Sequence, residues 1–350
     1  MMDFGKYQRK ISRKVIRYKA LMGTASSLKD LYRTCLAHIS PVTAPIALIS
    51  QIQRSGGSLL SQLFDGHPQI HAHPHELKIG YPKKYQWPKI DLNKHPKQWF
   101  NILFENSVIR HYREGYQKER DSDITFPFIF LPALQKRIFL HYLDALEGIK
   151  LRDVFDAYMT SYFGAWLNNQ NIQGRKIYIT AFTPRLAMSK ENMESFFEVY
   201  PDGRLISIIR DPKNWYPSAL RHNKKIKKDK YADIHRALYQ WKECTLSTLA
   251  NKEKYGSHVC VIRFEDLVSK TEPTMRHLAK FLNLQFDPIL LTPTFNKAPI
   301  RANTSFQPDK STIMDSTLNR HKTLKQDELE IIHSITDNTY KLVAEKAIAF

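Results

Sequence analysis

Cysteine is scarce in this chain of 350 residues, with only Cys35, Cys244 and Cys260. They are odd in number, far apart, and never in a CxxC pair. Neither a disulfide framework nor a cysteine zinc site is supported, and a reducing compartment suits such a chain best. Long apolar runs are missing too: nothing approaches the roughly 18–20 residues that span a bilayer. The first residues lack the apolar core of a secretory leader, because cations are spread through DFGKYQRKISRKVIRYKALMG. These absences together lead to the expectation of a cytoplasmic protein. Negative charge is in short supply as well, with 34 acidic residues against 53 lysines and arginines and a net charge of +19. A field of that sign favours anionic partners, among them nucleotides, nucleic acid, acidic glycans and anionic lipid heads. Apolar content of 42% with 25% charged residues is ordinary globular usage, which argues against disorder of the whole chain.

Residues 1–44 read as a basic helical extension. Ile11, Val15 and Ile16 recur at helical spacing, while Arg9, Lys10, Arg13, Lys14 and Arg17 fill the other faces. Such a helix either packs on the surface of the following domain or makes peripheral contact with an anionic membrane. From residue 45 the pattern changes. Pro45-Ile46-Ala47-Leu48-Ile49-Ser50-Gln51-Ile52 is a short apolar, β-branched run, read as a buried strand. Gln69–Ala72 reads as a second strand. The strand pattern returns at Lys176-Ile177-Tyr178-Ile179-Thr180, at Arg204-Leu205-Ile206-Ser207-Ile208-Ile209 and at His258-Val259-Cys260-Val261-Ile262. Helical patterns over about 192–200 and 229–254 separate the later strands, and a last helix is expected over about 325–347. Apolar strands alternating with helices predict an α/β fold: a central parallel sheet with helices on both faces. The stretch of about 78–174 is rich in aromatic and basic residues, is mostly helical in pattern, and is broken by prolines. It is expected to be a helical insertion on the acceptor side of a domain covering 45–350.

Three segments carry the chemistry. Gln53-Arg54-Ser55-Gly56-Gly57-Ser58 lies between a strand and the helical pattern of Leu59-Leu60-Ser61-Gln62-Leu63-Phe64. Glycines let the backbone approach a phosphate, the N–H groups at the helix start point inward, and Arg54, Ser55 and Ser58 add donors. The lysine of a GxxxxGK[ST] loop is absent, so an ordinary ATPase or GTPase is not supported. Pro201-Asp202-Gly203-Arg204-Leu205-Ile206-Ser207-Ile208-Ile209-Arg210-Asp211-Pro212 delivers Arg210 to a strand's C-terminal edge. Pro212 then opens a helix, and Ser218 lies about two turns along it. An arginine and a hydroxyl there suit a second phosphate group, unless Arg210 is merely paired with Asp211. The third segment, Val261-Ile262-Arg263-Phe264-Glu265-Asp266-Leu267-Val268, is followed by Met275–Leu284, which reads as a helix.

In this order the three resemble the nucleotide-dependent sulfotransferase family. RSGGSLLSQLFDGHPQI is similar to that family's 5′-phosphosulfate loop, PDGRLISIIRDP with Ser218 to its 3′-phosphate segment, and RFEDL with FLNLQFDP to its later region. Asn303-Thr304-Ser305-Phe306 resembles a segment of bacterial and carbohydrate-directed members. The resemblance covers about 45–325. It implies a P-loop-like α/β fold and 3′-phosphoadenosine-5′-phosphosulfate (PAPS) as co-substrate. Arg54, Ser55, Gly56, Gly57 and Ser58 would hold the 5′-phosphosulfate. Arg210 and Ser218 would hold the 3′-phosphate, and Phe264 would lie beside the adenine. The acceptor it implies is a hydroxyl, expected here to be a sugar of a glycan or glycolipid. Two departures stand out. Gly57-Ser58 replaces the usual pair of threonines, and in Ala181-Phe182-Thr183-Pro184-Arg185 a phenylalanine occupies the place of a K-x-P lysine. Charge must then come from Arg54, Arg185 or a lysine elsewhere.

Glu76 is the candidate general base, acting with Arg54 as the catalytic pair; His73 and His75 are its rivals. The alternation of His71, His73 and His75 allows zinc ligation to be considered, but Pro74 and the missing cysteine pattern argue against it, and no metal is expected. The basic run Arg221, Lys224, Lys225, Lys227, Lys228 and Lys230 is either a solvated loop or a docking surface for an acidic acceptor. Aromatics of the insertion (Tyr81, Tyr85, Trp87, Trp99, Tyr112, Tyr116, Tyr162, Trp166) either stack on sugar rings or form core. A catalytically degenerate nucleotide binder and a basic nucleic-acid-binding protein remain as alternatives. No zinc finger, RNP segment or helix-turn-helix is present, and nucleic acid is not expected as a partner.

Overall fold

The computed structural model describes residues 15, 25–80, 86–117, 125–225, 231–300 and 315–347. Most of the basic N-terminal stretch, Tyr81, Tyr85, Asn303–Phe306 and the lysines at 227, 228 and 230 lie outside these residues. The chain divides into two compact units.

One unit combines the described residues up to Thr43 with Phe130–Leu167. Its helices span Ala25–Ala37, Pro132–Asp144 and Leu151–Ala165. The last two pair through side chains recurring every three or four positions: Leu134, Ile138, Val154, Tyr158 and Tyr162 are all essentially inaccessible. Thr160 Oγ1 accepts from Val42 N at 2.8 Å, and the Arg137 guanidinium lies 4.8 Å over the Tyr32 ring.

The other unit holds a five-stranded parallel sheet: β1 Ile46–Ile49, β2 Ile70–Glu76, β3 Tyr178–Phe182, β4 Arg204–Ile209 and β5 Val259–Arg263. The order is β2-β3-β1-β4-β5. Each expected strand is present; the first ends three residues earlier than read and the second runs four residues further, while the other three agree to within two residues. Register pairs Leu48 with Ala181 on one side and Leu205 on the other. Alternate strand residues Ala47, Ile49, Ile206, Ile208, Cys260 and Ile262 join one core with Leu60, Leu63 and Phe64 of α1 (Gly57–Phe64) and Met275 and Leu278 of the helix Thr271–Phe281. The intervening residues Ile46, Leu48, Leu205, Val259 and Val261 are equally buried, so both faces of the sheet are covered. Each such aliphatic side chain contributes about 1.5–3 kcal/mol relative to exposure.

The sheet order places a topological switch between β1 and β4: the chain leaving β1 returns on the β3 side, and the chain leaving β4 returns on the β5 side. In open parallel sheets the crevice beyond such a point is where ligands bind. The 78–174 stretch is helical at Pro96–Leu103, Ser107–Glu114, Pro132–Asp144 and Leu151–Ala165, with a two-stranded antiparallel ribbon, Tyr116–Gln117 and Thr125–Phe126. Trp87, Trp99, Tyr162 and Trp166 are buried core residues; Tyr112 is exposed. No helix of the described residues is long and apolar enough to cross a membrane.

Candidate active site

β1 ends at Ile49 and the chain turns sharply. Ser50 anchors the turn: its N donates to Ile206 O, its Oγ accepts from Ala187 N, and its carbonyl accepts from Ser207 Oγ. Arg54 and Gly56 both take left-handed backbone conformations, with φ of 71° and 96°. Gly56 is the N-cap of α1 and supplies no side-chain cap. The first turn of α1 therefore presents amide donors and the positive end of its dipole to whatever lies in front. Both glycines are required by space. A Cβ at Gly56 would run into the Phe264 ring, and one at Gly57 would run into Gln51 and the Phe182 ring.

β4 lies beside β1 and is followed directly by Arg210. The guanidinium is 3% exposed and donates to Arg54 O at 3.0 Å and to Thr317 O at 2.7 Å. It also lies 4.3 Å from the centroid of Phe264. Asp211 begins the helix α2 (Pro212–Lys225), its Oδ1 accepting from Lys213 N. Trp241 Nε1 donates to the Arg210 carbonyl, and Trp215 Nε1 to that of Gln53. The Gln53 amide in turn donates to Tyr231 Oη.

A cleft of about 170 Å³ opens at this edge, lined by Gln53, Arg54, Gly56–Leu59, Glu76, Phe182, Pro184, Arg210, His222, Phe264 and Arg320. Its cations are crowded. Burial pulls the Arg210 pKa down to about 9, and the charges of Arg320 and Arg54 act in the same direction. Arg320 is pulled down to about 10 by burial and by the Arg54 and Arg221 charges. Burial lowers Arg54 too. Guanidinium groups stay protonated at neutral pH, so the cleft holds three partly desolvated positive charges that an anion would complement.

Of the sequence-predicted site residues, Arg54, Gly56, Gly57, Ser58, Glu76, Arg210 and Phe264 all line the cleft. Ser55 and Ser218 do not. Both are fully buried, with hydroxyls that have no hydrogen-bond partner among the described residues, as does Arg54 Nε. Phe264 is 2% exposed and already packs against Arg210 and Gly56. Glu76 sits at the end of β2, in register with Phe182, with a side chain 39% exposed and Lys78 Nζ 3.4 Å away. His73 and His75 are turned instead toward Glu105.

Arg320, His222 and Phe182 were not among the expected ligands. His222 is one helical turn beyond Ser218, a spacing visible in the sequence. Arg320 opens a short 3₁₀ turn, Arg320–Thr323, and no local pattern marks it.

A model described as the sulfotransferase family matches residues 45–288, and the chain belongs to that family. It is a sulfotransferase, an enzyme of sulfuryl transfer. No curated protein matches it. Among solved structures it is similar to the sulfotransferase domain from the curacin biosynthetic pathway, at 18% identity and a TM-score of 0.46, covering 87% of this chain and 98% of that one. For a sulfotransferase from Alicyclobacillus acidocaldarius the figures are 12%, 0.42, 84% and 96%. For mouse sulfotransferase SULT7A1 complexed with PAP they are 13%, 0.36, 91% and 92%.

Proposed function

We propose that the cleft binds PAPS and passes its sulfuryl group to an acceptor hydroxyl. The observation that carries this is the convergence of Arg54, Arg210 and Arg320 on the uncapped start of α1 in a single cleft. The backbone of Gly56–Ser58 and the Ser55 hydroxyl take the 5′-phosphosulfate. Arg210 and Ser218 take the 3′-phosphate, and Phe264 bounds the adenine. Sulfuryl transfer proceeds in line, with negative charge growing on the leaving phosphate oxygen. Arg54, with Arg320 as the further cation of the cleft, supplies the compensation that the K-x-P lysine gives in relatives. Glu76 lies across the cleft and accepts the proton of the attacking hydroxyl.

The acceptor is assigned by its hydroxyl group. The aromatic side chains of the insertion give a sugar little support, because Trp87, Trp99, Tyr162 and Trp166 are spent on core packing. A glycan or glycolipid acceptor then rests on the resemblance of the 303–306 segment and on net charge.

The test is a titration with adenosine 3′,5′-bisphosphate beside 5′-AMP, for wild type and Arg210→Ala. Tighter binding of the bisphosphate is expected, with a preference of about tenfold or more that the substitution largely removes. Equal binding of the two nucleotides by the wild type would overturn the 3′-phosphate assignment.

A further inference from the structure

Beside the cleft lies a cluster that the sulfuryl chemistry does not use. Pro74 interrupts the regular pairing of β2, and the register with β3 shifts between Ala72 and Glu76. This irregular end of the strand carries His73 and His75. Facing them is Glu105, from the loop between the helices Pro96–Leu103 and Ser107–Glu114. Its carboxylate is wholly buried and divides between the two rings: Oε1 is 2.9 Å from His73 Nε2, and Oε2 is 3.7 Å from His75 Nε2. Candidate ligand atoms of all three residues lie within 4.8 Å of one another.

We infer that His73, His75 and Glu105 form a binding site for a divalent transition-metal ion of the zinc type, separate from the nucleotide cleft. Three details beyond proximity support this. First, the His73 ring is already oriented: Nδ1 is 2.8 Å from His75 O, and a carbonyl only accepts, so Nδ1 carries the hydrogen. That leaves Nε2 directed at the carboxylate, as in metal sites where the second ring nitrogen is tied to the backbone. Second, the carboxylate is held from its other side by Lys78 N, which donates to Oε2 at 2.8 Å. Third, ligand atoms about 2.0–2.1 Å from a tetrahedral ion lie about 3.3–3.4 Å apart, and each ring nitrogen is within about 0.5 Å of that spacing from a carboxylate oxygen, His73 from Oε1 at 2.9 Å and His75 from Oε2 at 3.7 Å. Two imidazoles and one carboxylate form a recurring zinc donor set, with the fourth position left to water. His111, whose ring stacks edge-on to His75 at 4.7 Å, and Phe128 wall the site. On binding, Nε2 of His73 turns its lone pair to the ion, and any hydrogen it carried leaves to solvent. An ion here would pin the end of β2 and, one residue on, the backbone of Glu76.

The experiment uses the full chain. Purified protein is loaded with Zn²⁺, passed over a desalting column and assayed for metal; a parallel sample is titrated with Co²⁺ and its visible absorption recorded. About one equivalent of zinc is expected to be retained, with tetrahedral cobalt bands that zinc abolishes. Glu105→Gln and His75→Ala should each weaken retention by about tenfold or more, while the preference for adenosine 3′,5′-bisphosphate over 5′-AMP persists. That nucleotide readout separates this site from the sulfotransferase assignment. If the variants fail to fold, the wild-type cobalt spectrum decides. A folded wild type with no saturable zinc uptake and no tetrahedral cobalt bands overturns the inference and leaves a buried histidine–carboxylate pair.

Discussion

Gly57 and Phe182 are positions at which the motifs depart from the family resemblance, and in space they are neighbours. A side chain at 57 would occupy the volume held by the Phe182 ring and the Gln51 amide. The two departures are therefore sterically coupled. Overpacking of this kind costs about 1–3 kcal/mol. Gly57→Ala is expected to lower stability by that amount and to weaken nucleotide binding, since it displaces the first turn of α1. Adding Phe182→Leu should recover part of the loss, so that the pair is non-additive by about 0.5–3 kcal/mol. Denaturant unfolding of the two single variants and the double would show it, and strict additivity would disprove the contact. The sequence displayed both oddities, but only as separate losses of a hydroxyl and a lysine. That they compensate each other in space requires β1 and β3 to be neighbours, and nothing local states this.

Elements were more legible than their partners. The five strands could be read because apolar runs buried on both faces leave little else for Ile, Val and Leu to do, and the C-terminal helix because its period is sustained. Tertiary placements were not legible: Glu105 meets His73 and His75 across some thirty residues of sequence, and Arg320 enters the cleft from a turn with no motif. The helix that follows β5, Phe264–Ser269, shows what such placement does to a side chain. Glu265 Oε1 accepts from Asp211 N at 3.2 Å, and burial pushes its pKa up to about 7; Asp211 adds to the rise and Arg210 opposes it. Tyr340 also faces it, its own pKa raised chiefly by burial. A carboxyl whose folded pKa exceeds its unfolded value contributes stability at low pH, fully below about 4.3. The contribution fades as pH rises through about 7. Thermal midpoints measured from pH 5 to 8 should therefore fall more steeply for wild type than for Glu265→Gln. Parallel profiles would show that Glu265 titrates normally.

At the scale of the molecule the net charge of +19 is focused as well as large. Three buried or half-buried guanidinium groups held in one cleft raise the energy of the empty protein. A ligand that neutralises them stabilises the fold by mass action, about 2.7 kcal/mol at a hundredfold excess over Kd. Adenosine 3′,5′-bisphosphate is expected to raise the thermal midpoint more than 5′-AMP at equal concentration, and the difference should shrink as ionic strength rises. Equal shifts at low salt would mean that the cleft gains nothing from the second phosphate and its charge. The charge excess could be read from composition; its concentration at one sheet edge depends on β1 and β4 lying side by side, which only the folded topology supplies.

The contact between Gly57 and the Phe182 ring also limits the order in which the two positions can be re-engineered. While phenylalanine stands at 182, a threonine at 57 would run into its ring and into the Gln51 amide. The two positions are therefore constrained jointly: a side chain at 57 becomes admissible only once the ring at 182 is made smaller or moves aside.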